Sequence, residues 1–113
     1  MVQDFELPIG FADADLNGYR RVGADLFVDV QTWDEQQGSV VFRDVIAVCD
    51  LLAGSFSDLV RDHAASMRVL EAALARNFET VPVSHPYRVY SFLNMDGDPS
   101  LEIVASSCEA KIG

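Results

Sequence analysis

The stretch Ser57-Asp58-Leu59-Val60-Arg61-Asp62-His63-Ala64-Ala65-Ser66-Met67-Arg68-Val69-Leu70-Glu71-Ala72-Ala73-Leu74-Ala75-Arg76-Asn77 decides the fold class, because the hydrophobic period changes there. Leu59, His63, Met67, Leu70 and Leu74 recur at helical spacing within an arc of about 80°, with Val60 and Phe78 at its edge. Arg61, Asp62, Arg68, Arg76 and Glu79 fall on the opposite side. Ala64, Ala65, Ala72, Ala73 and Ala75 add helix propensity. Ser55, three residues ahead of Asp58, gives a capping-box-like start, with Ser57 as the rival N-cap. The spacing predicts one long amphipathic helix over 57–77, lying on a sheet.

On either side of it the period is two. Phe5, Leu7, Ile9 and Phe11 alternate with Glu6, Pro8 and Gly10, and Pro8 confines that strand to a sheet edge. Residues 13–18 read as a turn, with Asn17-Gly18 as a hairpin signal and a short strand over 19–22. Over 25–33, Leu26, Val28, Val30 and Thr32 face one way, while Phe27, Asp29, Gln31 and Trp33 face the other. Residues 34–38 form a hairpin loop. Residues 39–49 predict one long strand whose second half is apolar on both faces, as in a central strand. After the helix, strands over 87–95 and 101–108 flank the turn Asp96-Gly97-Asp98-Pro99. The order strands, helix, hairpin implies an α+β fold: an antiparallel β-sheet of about four to six strands with one helix packed on one face. The hairpin and the helix are expected to share the core face of the N-terminal strands.

Size and charge bound the function. A chain of 113 residues, half of them apolar, suits a single α+β domain over 1–113. Its 18 acids against 8 bases give a formal charge of −10 and an isoelectric point near 4.3. That balance argues against nucleic acid and against an anionic membrane surface. Residues 1–56 hold 10 acids and 3 bases, whereas residues 57–113 hold 8 and 5. The acidity therefore belongs mainly to the strands and loops. The longest apolar run, Val45–Cys49, falls far short of the ~18–20 residues of a membrane helix. Met1–Glu6 lacks the basic and apolar regions of a secretion signal, so the expected location is the cytoplasm. Cys49 and Cys108 fall in predicted strands and read as buried thiols; neither belongs to a Cys-x-x-Cys pair.

Motifs for chemistry are sparse, and neither a cofactor nor a metal is expected. Asn94-x-Asp96-x-Asp98 has the opening of a calcium loop, but Pro99 and Ala105 stand where the loop needs glycine and a bidentate glutamate. Glu109-Ala110-Lys111 matches the tail of a nuclease metal site without a clear partner acid. Ser106-Ser107-Cys108 lacks a nucleophile elbow. His85 sits in a proline-flanked connector. His63, at the centre of the apolar arc, is the candidate for a pocket between helix and sheet. It would serve a small enzyme or ligand-binding domain, or else be a core-edge residue. Phe27 and Trp33, with Tyr90 and Phe92, are either exposed anchors for a partner or a second small core.

His85–Ala105 (HPYRVYSFLNMDGDPSLEIVA) and Phe11–Tyr19 (FADADLNGY), about a third of the chain, resemble small acidic bacterial immunity-type proteins, which neutralise toxins encoded beside them. The resemblance implies a non-enzymatic, stoichiometric protein complex. The leading expectation is therefore a protein-binding module for a basic partner protein, such as a toxin. Asp13, Asp15, Trp33, Asp34 and Glu35 are its first candidate contacts, followed by Asp96 and Asp98. A homodimer joined through sheet edges or through the aromatic face is the further alternative.

Overall fold

In the computed structural model, residues 14–32, 35–51, 53–82 and 84–112 are described. The expected strand over 5–11, together with Asp13, Trp33 and Asp34, lies outside them.

The first three strands form the middle of a five-stranded antiparallel sheet. β1 (Ala14–Val22), β2 (Asp25–Gln31) and β3 (Gln37–Arg43) run as a meander. β4 (Ala47–Asp50) follows, then the short β5 (Ser55–Phe56) and β6 (Asp58–Arg61). A 3-10 turn (Ala64–Ser66) leads into α1 (Met67–Asn77), and β7 (Arg88–Leu93), β8 (Pro99–Ala105) and β9 (Ser107–Ile112) complete the chain. The first sheet has the order β5-β1-β2-β3-β9 and the second β4-β8-β7-β6.

The two sheets pack face to face. Leu26, Val28, Val30, Val40 and Phe42 of the first meet Leu59, Tyr90, Phe92, Leu101 and Ile103 of the second in one core. Phe92 sits edge-on to Phe56, with ring centroids 4.9 Å apart, and to Phe42 at 6.1 Å. Burying each such side chain contributes about 1.5–3 kcal/mol. The second sheet is covered on its other face by α1, whose Leu70, Ala73 and Leu74 lie against Val89 and Val104. The architecture is thus three layers: sheet, sheet, helix.

Several expectations are corrected by this arrangement. The α+β class and the antiparallel pairing hold, but there are two sheets, and the helix is short, with 11 residues. Its expected first half is strand. Ser55 and Phe56 pair with Asp15 and Ala14, and Asp58–Arg61 pair with β7. Leu59 is buried between the sheets, so its helical spacing to Met67 is fortuitous. Asp62, at φ 57°, turns the chain out of β6. Ser66 occupies the helix N-cap in place of Ser55 or Ser57. The hairpin β7–β8 does not share a face with the helix against the N-terminal strands; it lies between the two.

The expected strand over 39–49 breaks at Asp44, whose φ is 56° and whose N–H donates to Asp25 Oδ1. Aspartate tolerates this left-handed conformation better than most residues. The break sends β3 into one sheet and β4 into the other. β4 is then an edge strand, not a central one. Asn17-Gly18 marks a bulge within β1, where the register shifts between Leu16 and Gly18. The hairpin itself closes at Gly23, where φ is 62° and glycine is the residue that adopts it freely.

Candidate functional site

The described acidic candidates come together at one end of the sandwich. Asp15 begins β1 opposite Gln31, and Gln31 pairs with Gln37 across the loop that carries Glu35. That loop is closed by Thr32, whose N–H bonds Gln36 O and whose Oγ1 accepts from the Gln36 N–H. Glu35 adopts φ 65° there and is exposed. In the second sheet, Asp96 and Asp98 lie in the β7–β8 turn, where both backbone N–H groups donate to Asn94 Oδ1 at 2.9 and 3.0 Å. This is a hairpin turn built on an asparagine side chain.

The segment from β5 into β6 ties the two ends together. Ser55 Oγ donates to Asp15 Oδ1 at 2.8 Å, and two residues later Ser57 Oγ donates to Asn94 O at 3.0 Å. Asp58 opens β6 opposite Leu93 at the same end and is exposed. It was missed from sequence because it reads as part of a helix start. Among the described residues, Asp15, Glu35, Asp58, Asp96 and Asp98 make no ion pair.

The arginines are placed elsewhere. Arg43 and Arg88 stand at the opposite strand ends. Arg43 bonds Asp25 at 2.8 Å and Glu109 at 3.2 Å, and Arg88 bonds Asp62 at 3.4 Å. The Arg43 guanidinium, followed by the Asp44 N–H, holds the Asp25 carboxyl below its ordinary 3.8. Arg20, near mid-sheet, reaches Asp29 at 3.5 Å and lies over the Phe27 ring at 5.0 Å. Tyr90 and Phe92 are buried between the sheets in the larger core, so these two are neither exposed anchors nor a second small core: the first sheet covers them.

His63 is half-buried just before the 3-10 turn, where its Nδ1 accepts the Ala65 N–H at 3.3 Å. It is not among the residues lining the groove that does lie between helix and sheet. That groove, of about 570 Å³, runs between β4 and the flank of α1. Ala47 and Cys49 form its floor; Arg68, Val69, Ala73 and Arg76 form its wall. Behind Cys49, Glu102 is only 5% exposed. Its Oε2 accepts from Ser66 Oγ, which in turn accepts from Ser91 Oγ at 2.8 Å. Burial, then the Glu102 carboxylate beside it, pushes the Cys49 thiol up. Burial also pushes the Cys108 thiol up to about 12. Both thiols are free and lie in different sheets, and neither is poised as a nucleophile.

Among the described residues there is no cluster of three or more metal-ligating side chains, and no helix is long and apolar enough to cross a membrane. No protein-family model, curated protein or solved structure matches this chain.

Proposed function

We propose that this chain is a non-catalytic protein-binding module whose acidic end meets a basic partner protein, in the manner of an immunity protein and its toxin. The observation that carries the reading is the convergence of Asp15, Glu35, Asp58, Asp96 and Asp98 at one end, without ion pairs among the described residues. These residues are far apart in sequence and are brought together by two sheets. Carboxylates left unneutralised in one place set up a field that extends about 8 Å into physiological salt. Such a field accelerates encounter with a cationic surface and repels acidic competitors. The hairpin turn and the closed loop hold the carboxylates on short, hydrogen-bonded segments, so little ordering is needed on binding.

Affinity capture from the native host tests the reading. The wild-type chain is compared with a variant carrying Asp15→Asn, Glu35→Gln, Asp96→Asn and Asp98→Asn. A basic protein retained by the wild type, and lost from the variant, is expected. Capture of no basic protein, or equal capture by both chains, contradicts the reading.

A further inference from the structure

β4 has the composition of a central strand and the position of an edge. Among the described residues no strand pairs with its outer side. The Leu51 N–H bonds Ser100 O at 2.8 Å. Because the ladder alternates, Cys49 and Ala47 also bond β8, and the Val48 amide faces outward. Edge strands are normally blunted by shortness, charged side chains, proline or a bulge; β4 has four residues with one charge, Asp50, at its end, and carries no lysine, proline or register shift. Val48 is 41% exposed and Leu51, just beyond the strand, is 56% exposed.

Among the described residues that line the groove beside this edge there are two cations, Arg68 and Arg76, and no carboxylate, although Glu102 lies buried behind Cys49 and Asp50 follows Cys49 in the strand. Among the described residues neither arginine has an ion pair or a side-chain hydrogen bond. Their placement has a length. Arg68 and Cys49 both line the groove, and Ser66, two residues before Arg68, meets Glu102, the β8 residue opposite Cys49. At the other end of the helix, Phe78 meets Tyr87 with ring centroids 6.0 Å apart. The helix therefore runs along the strands, antiparallel to β4. Eight residues of helix separate the two arginines by about 12 Å. Side chains four residues apart on one face of a strand are separated by about 13 Å.

We infer that the β4–α1 groove receives an extended acidic segment of a partner chain, added to β4 as a further strand, with two carboxylates four residues apart meeting Arg68 and Arg76 and an apolar side chain between them over Ala72 and Ala73. Main-chain bonds to the Val48 edge supply affinity, and the spacing of the arginines supplies selectivity. The occupant is acidic because, among the described residues, the lining of the groove offers two cations without an ion pair and no carboxylate. This contact is separate from the acidic end and stands or falls without it.

The test uses an end-blocked, fluorescein-labelled heptapeptide with glutamate at its second and sixth residues and valine at its fourth. Its lysine counterpart and a form N-methylated on alternate amides are the controls. Fluorescence anisotropy should show the glutamate peptide binding at least about tenfold more tightly than the lysine peptide. The N-methylated form should not bind. The double variant Arg68→Glu/Arg76→Glu, changed only at exposed helix positions, should reverse the preference. Val48→Pro should abolish binding of either peptide. Absence of binding to the wild type, equal binding of both peptides, or indifference to N-methylation overturns the inference. So does a dimer in light scattering that Val48→Pro returns to monomer, since a second copy then occupies the edge.

Discussion

Ser66→Ala is expected to destabilise the chain by about 3 kcal/mol, more than the loss of a serine hydroxyl ordinarily implies. The reason lies in where that hydroxyl sits. Ser66 is fully buried at the start of α1, donates to Glu102 Oε2 and accepts from Ser91 Oγ. Removing it breaks a hydrogen bond to a charged group, worth about 1.5–3 kcal/mol, and strips Ser91 of its acceptor, worth about 1 kcal/mol more. The helix has little in reserve. Eleven residues are too few for a helix to hold itself in water, and only Leu70, Ala73 and Leu74 of it are buried. Urea unfolding followed by circular dichroism measures the effect, with an unchanged m-value showing that stability alone has moved. Near 4 °C per kcal/mol, the midpoint of thermal unfolding should fall by about 12 °C. Glu102→Gln in the Ser66→Ala background removes the uncompensated charge and should recover at least about 1 kcal/mol in a double-mutant cycle. A loss below about 0.5 kcal/mol for Ser66→Ala, or additive effects in the cycle, refutes the idea that this buried chain of hydroxyls anchors the helix.

Three further outcomes are expected. Phe92→Ala, at the centre of the inter-sheet aromatic cluster, should lower stability by about 3–5 kcal/mol in the same unfolding assay; a loss under 1 kcal/mol would return Phe92 to the surface. The folded-state pKa of Asp25 lies below its ordinary 3.8, so its contribution to stability is present above that value and is lost as the pH falls through the folded pKa. Carboxyl NMR should show Asp25 titrating low, and Arg43→Gln should move it back up. The folded pKa values of Cys108 and Tyr90, each pushed up to about 12 chiefly by burial, favour the protonated forms in the native state. Their contribution is complete below the ordinary values of 9.0 and 10.0 and is lost as the pH rises toward 12, so the urea midpoint should fall across that range. A flat alkaline limb would contradict their burial.

What the sequence made legible follows from how local each signal is. The alternation of Leu26, Val28 and Val30 states which face of β2 is buried, and the strand forms there with those residues inward. The hairpin β7–β8 is equally plain, because its turn, Asn94 to Asp98, is closed by its own hydrogen bonds. The over-long helix arises because Leu59 and Met67 satisfy a helical period by coincidence. What decides the matter is pairing of Asp58–Arg61 with β7, a long-range contact with no local mark. The break at Asp44 is equally silent, since it depends on the Asp25 side chain 19 residues away. For the same reason the acidic candidates Asp15, Glu35, Asp96 and Asp98 could be named one by one, but their convergence could not, and Asp58 was hidden inside the false helix. The groove beside β4 leaves one trace, a strand apolar on both faces, which is equally the mark of a central strand.

The proposal that the acidic end recruits a basic partner is tested most directly by the rate at which the captured partner associates with this chain as salt is varied. Stopped-flow measurements should show the wild-type association rate falling at least about tenfold between low and high salt, with the variant carrying Asp15→Asn, Glu35→Gln, Asp96→Asn and Asp98→Asn starting slower and losing most of that dependence. An association rate that is flat in salt, or equally steep in the wild type and the variant, contradicts the account.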